Sequence, residues 1–81
     1  YGEMQDYENA IIYRTKALKI AELLDDKLSI GTYHNRVGST YLAAGNIEAA
    51  IKEFQKAIEI LPSDNADYID SNNKLNKLPN K

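Results

Sequence analysis

GSTYLAAGNIEAAIKEFQKAIEILP, running from Gly38 to Pro62, is the stretch whose reading decides the fold. Two helical runs flank Gly45-Asn46. A glycine just past a helix supplies the left-handed cap without a Cβ penalty, and an asparagine after it can cap the next helix by accepting a backbone N–H bond. Gly38 and Ala50 are small residues on the two runs, so the backbones can approach closely while Tyr41 and Phe54 fill the space beside them. Ala57 lies two turns beyond Ala50 on the same face and leaves room for a third helix. Pro62 stops the second run after Ile58, Ile60 and Leu61, because its ring disfavours α conformation in the residue before it.

Working outward, a shift of about forty residues superposes YGEMQDYENAIIYRTKALKI on YLAAGNIEAAIKEFQKAIEI. Tyr1, Glu8, Ala10, Ile11, Lys16, Ala17 and Ile20 then fall on Tyr41, Glu48, Ala50, Ile51, Lys56, Ala57 and Ile60. The first copy departs at two places: Gln5 stands where Gly45 breaks the second copy, and Arg14 stands where Phe54 stands.

The offsets of Gly38, Tyr41, Gly45, Ala50, Phe54, Ala57 and Pro62 resemble the tetratricopeptide repeat, in which two antiparallel helices form one unit. The usual repeat is about thirty-four residues. The surplus here lies in residues 21–31, AELLDDKLSIG, and the chain resembles the long-helix, kinesin-light-chain-like variant. The extra residues are expected to add turns to both helices flanking Asp25-Asp26. His34 stands where the family usually has a large aromatic. The resemblance implies an all-α fold of antiparallel helix-turn-helix repeats, a fragment of an α-α superhelix. Residues 1–64 are expected to form the repeats, the first truncated and the second complete.

The helical period places a first helix over Asp6 to Leu24 with Asp6 as N-cap, a second over Lys27 to Ala43 and a third over Ile47 to Leu61. Ala10, Ala17, Ala21 and Leu24 stripe the first helix, and Ile30, His34, Val37 and Tyr41 the inner side of the second. Glu48, Lys52, Glu53 and Lys56 are expected on the outer face of the third. Residues 65–81 are rich in Asn, Asp and Lys, with Tyr68, Ile69, Leu75 and Leu78 as large apolar side chains. They read as a polar capping helix over about Asn65 to Leu75, or as a disordered tail. On this reading Tyr1 to Met4 is the end of a preceding helix. Ala10, Ile11, Ala17 and Leu18 would then present an uncovered apolar flank, which implies self-association through residues 7–18 or a place in a longer array.

Composition narrows the function. A chain of 81 residues is one domain at most, near the lower limit for a self-sufficient core. A net charge of −2 gives no bulk attraction to nucleic acid or anionic membrane. Zero cysteines exclude disulfides and thiolate metal sites. No apolar run approaches a membrane span, and the default compartment is the cytoplasm. Tyr1 in place of an initiator Met suggests a fragment or processed product. His34 is the single histidine, and Glu22, Asp25 and Asp26 lie two or more turns from it, so it is expected to fill the aromatic slot between paired helices. The four glycines are dispersed and form no phosphate loop. No enzyme activity, cofactor or metal is expected.

What the resemblance implies instead is a surface that binds protein or peptide. The family's groove positions match Thr32, Asn35, Ser39 and Leu42, with Arg36 at the edge. Asn35 can pair with both donors and acceptors of an extended peptide. Arg36 falls where some family members place an arginine that clamps a peptide carboxylate, although Thr32 occupies the place of that clamp's lysine. The competing reading is a structural assembly or oligomerisation module with no separate ligand.

Overall fold

A computed structural model describes residues 2–78, with side chains from Asp6 onward. Four helices follow one another: α1 Gly2–Leu23, α2 Lys27–Ala43, α3 Ile47–Ile60 and α4 Ala66–Lys77. No strand occurs among the described residues. Short turns join the helices, so neighbours run antiparallel. α2 is the centre of the arrangement, packing against α1, α3 and α4.

The helix ends follow from local chemistry. Asp26 caps α2, its carboxylate accepting from the Ser29 backbone N–H at 3.3 Å and the Ser29 hydroxyl at 2.8 Å. Asn46 caps α3 through the Ala49 N–H, and Asn65 caps α4 through the N–H groups of Asp67 and Tyr68. The turn after α2 uses Gly45 at φ 88°, and the turn after α1 puts Asp25 in the same left-handed region at φ 55°. Asp tolerates that region better than most residues, though less readily than Gly. The turn between α1 and α2 is therefore only residues 24–26, and the surplus residues of the repeat extend the helices.

Two expectations at the N-terminal end are corrected. α1 runs unbroken from Gly2, so Asp6 is an exposed position inside the helix and not its N-cap. Gln5 lacks the left-handed freedom that Gly45 uses to break the second copy. Gly2 to Gln5 therefore belong to α1, not to a separate preceding helix; Tyr1 lies outside the described residues. At the other end of α1, Leu24 is not in the stripe that α2 covers but 73% exposed in the turn.

The core has two parts on either side of α2. Leu18, Ala21 and Ile30 cluster with Tyr33 between α1 and α2. Leu18 thus faces α2 and is not part of an uncovered flank; the large apolar side chains of α1 left to solvent are Ile12, Tyr13, Ile20 and Leu23. Between α2 and α3, Ala50, Phe54 and Ala57 are fully buried. The approach is close: a Cβ on Gly38 would lie 2.8 Å from Phe54 Cε1, and one on Gly31 would collide with Leu61.

Glu53 is corrected as well. It is not on the outer face of α3: its carboxylate lies 2.7 Å from His34 Nδ1, with both side chains largely withdrawn from water. An ionised carboxylate only accepts, so Nδ1 carries the proton. His34 fills the expected slot between paired helices, and the Glu53 bond satisfies the polar edge that a phenylalanine there would lack.

Candidate functional site

Thr32, Asn35 and Ser39 share a side of α2 because their spacings of three, four and seven residues return to one helix face. That side meets α4. Thr32 Oγ1 donates to Asp67 at 3.0 Å. The Asn35 amide donates to Asp67 at 3.1 Å and to Asp70 at 3.2 Å, and its carbonyl accepts from Ser71 Oγ at 2.6 Å. Lys74 Nζ donates to Ser39 Oγ at 2.9 Å and to Asp70 at 2.9 Å.

Both amide hydrogens of Asn35 are thereby used, and the residue is 5% exposed. Ser71 is fully buried beneath it. α4 is therefore held to α2 by matched polar groups, with no buried side-chain polar atom left without a partner among the described residues. The Lys74 hydrogen bond holds the Asp70 carboxyl below its ordinary value against the opposing effect of burial; the Asn35 bond and the Lys74 charge act in the same downward direction. Lys74 Nζ also stands 5.7 Å from the centroid of the Phe54 ring, a cation–π distance that joins this network to the α2–α3 core.

Beside the network lies an open cleft of about 530 Å³ between α1, α2 and the start of α4. Asn35, Arg36 and Ser39 line it from α2, Tyr7 and Arg14 from α1, and Asp67 from α4. Three of the five residues expected at a binding surface thus come together at one opening. Arg36 is exposed, and its guanidinium makes no hydrogen bond or ion pair among the described residues. Thr32 lines a second cleft of about 340 Å³ that shares Arg14 and Arg36 with the first. Leu42 is half-buried and lines neither.

Arg14 is the residue that reading along α2 alone leaves out. Its Nη1 donates to Thr40 Oγ1 at 2.8 Å, holding the guanidinium over α2 at the junction of the two clefts. The signal was its substitution for phenylalanine in the repeat alignment. A cation in place of a core aromatic marks a face that carries no core.

The hollow is ringed by groups able to hydrogen-bond or pair with charge: two guanidinium groups, hydroxyls, an amide and a phenol ring. The histidine that could serve acid–base chemistry is committed to Glu53 on the α3 side of α2. No cluster of three or more metal-ligating side chains occurs among the described residues. No described helix is long and apolar enough to cross a membrane.

The family model described as tetratricopeptide repeat matches residues 1–63. No curated protein and no solved structure matches the chain.

Proposed function

We propose that this chain, which belongs to the tetratricopeptide repeat family, is a protein-binding adaptor module that takes its partner at the cleft beside α2. Members of that family generally mediate protein–protein interaction. The observation that carries the reading here is the cleft where Asn35, Arg36 and Ser39 meet Arg14 and Tyr7, with Arg36 unpaired among the described residues. A guanidinium with free donors at the rim of a hollow suits a carboxylate or a peptide carbonyl on a partner. Thr32, Asn35 and Ser39 contribute by holding α4 and so shaping the cleft wall, while Arg36 makes the direct contact and Leu42 lies at the far end of the same helix. α4 acts as the cap of the repeats, since Asn73, Asn76 and Lys77 face solvent. The module carries out no catalysis.

The test is partner capture with Arg36→Glu, an exposed change that leaves the fold intact. Loss of partner with unchanged helicity supports the adaptor. Unchanged capture would sink it.

A second reading, a structural assembly module, draws on the apolar side chains left exposed on and after α1: Ile12, Tyr13, Ile20, Leu23 and Leu24. Light scattering decides it. A concentration-dependent dimer lost on Ile20→Glu supports assembly through α1, and a monomer throughout removes it.

A further inference from the structure

The turns after α1 and α2 are locked by backbone conformation, and the turn after α3 is not. Asp25 at φ 55° and Gly45 at φ 88° hold the first two, and these are the positive-φ positions among the described residues. Between α3 and α4, Leu61 is extended at φ −82° and ψ 147°, as the residue before a proline prefers. Residues 62–64 are exposed, and the Asn65 N–H closes the turn by donating to the Pro62 carbonyl at 3.0 Å. Both ends of this connection are fixed. Leu61 is buried against Gly31, and Asn65 caps α4 and travels with it. The geometry is that of a hinge confined to residues 62–64.

The helix beyond the hinge is seated by polar groups. α3 sinks Ala50, Phe54 and Ala57 into the core, whereas the buried residue of α4 is Ser71. Ile69 is exposed, and Tyr68 and Leu75 are half-buried. α4 reaches α2 with Asp67, Asp70, Ser71 and Lys74, whose spacings of three, four and seven residues share one helix face. Their hydrogen bonds exchange with water on opening, so each contributes little net hold. Opening also leaves the Asn65 cap and the bonds inside α4 intact, so the helix moves as a unit.

We infer that α4 exchanges between copies: it swings out about residues 62–64 and seats on α2 of a second copy, whose own α4 returns the exchange. The second copy offers the same Thr32, Asn35 and Ser39, so each bond lost within the chain is remade across the pair. The cost is then confined to the hinge, where straightening breaks the Asn65–Pro62 bond and moves no left-handed residue. Exchange of an identical element is a low-cost route to a dimer. A short linker holds a chain's own α4 at an effective concentration on the order of millimolar, so the dimer forms as the chain approaches that range. In the dimer, Asp67 of one copy completes the cleft lined by Asn35 and Arg36 of the other. Ile12, Tyr13 and Ile20 of α1 take no part.

Light scattering on the whole 81-residue chain is the first test. A dimer is expected whose share grows as the concentration approaches about 1 mM and which persists with Ile20→Glu. A chain that stays monomeric, or a dimer lost on Ile20→Glu, would overturn the exchange. Deleting Ser63 and Asp64 leaves too little chain to turn back, and should lower the concentration needed for the dimer by at least about tenfold; no change counts against the hinge. The second test is complementation between two variants. Asn35→Asp sets a carboxylate against Asp67 and Asp70, so that chain rejects its own α4; Asp67→Asn with Asp70→Asn turns those acceptors into donors. Mixed, the two chains match at both seats only by exchange. The new carboxylate accepts from the two amides, and Asn35 of the other chain donates to Asp67 and Asp70. A heterodimer is expected, with hydrogen exchange over residues 66–77 of the Asn35→Asp chain slowed at least about tenfold on mixing. Absence of a heterodimer, or exchange unaltered by mixing, would overturn the inference. The unmodified chain decides alone where a variant fails to fold. Partner capture that depends on Arg36 by a chain that stays monomeric would remove the exchange and leave the adaptor reading standing.

Discussion

Gly38→Ala adds one methyl group at the tightest point of the α2–α3 contact, and two opposing effects decide its sign. Alanine favours the helix over glycine by about 1 kcal/mol. Against that, the new Cβ would lie 2.8 Å from Phe54 Cε1, 2.9 Å from Cδ1 and 3.2 Å from the Glu53 Cβ. Carbon atoms pack comfortably at about 3.5–4.0 Å, so the ring would have to retreat by about 0.6 Å or more. Phe54 is fully buried and its ring has no solvent side to yield toward. Overpacking of this kind costs about 1–3 kcal/mol, and the fixed ring puts this site in the upper part of that range. The net expectation is a loss of about 1–2 kcal/mol, or a Tm lower by about 4–8 °C per kcal/mol for a domain of this size. Thermal unfolding followed by circular dichroism measures it. The mechanism is tested by repeating the change in a Phe54→Leu background, where the clash is relieved and Gly38→Ala becomes neutral or stabilising. A higher Tm for Gly38→Ala in the unmodified chain, or the same shift in both backgrounds, would refute the close approach of the two helices.

Other perturbations probe the remaining contacts. Asn35→Ala removes three side-chain bonds to α4 and leaves buried Ser71 Oγ without its acceptor, a cost of about 1–3 kcal/mol from that atom alone; hydrogen exchange should accelerate across residues 66–77 far more than in α3. Glu53→Ala should destabilise by about 1–3 kcal/mol by stranding His34, whereas Glu48→Ala, on the exposed face of the same helix, stays within about 0.5 kcal/mol. Asp70 is held below its ordinary value of 3.8, so its contribution is fully present above that pH and is lost as the pH falls through the lower folded value. α4 should therefore loosen on acidification below that range, seen as faster exchange in residues 66–77, and Lys74→Met should remove that dependence because Lys74 is its principal cause.

The alternation of small and large residues along Gly38 to Pro62, the Gly45 break and the Asn46 cap are local signals. They were sufficient for the helices, their antiparallel order and the family, because turns and caps depend on a few neighbouring residues. Arg14 was visible as a departure from the repeat for the same reason. What the sequence by itself left open was where the polar faces point. Thr32, Asn35 and Ser39 read as a free surface, and the fold spends them on α4. Glu53 read as solvent-facing, and the fold turns it onto His34. Asp6 read as the cap of a new helix, and α1 runs unbroken through it from Gly2. Hydrogen bonds between residues more than thirty positions apart leave no periodic trace along the chain. Only the packing of α4 against α2 decides which of these polar side chains are partnered and which, like the Arg36 guanidinium, are left without a partner among the described residues.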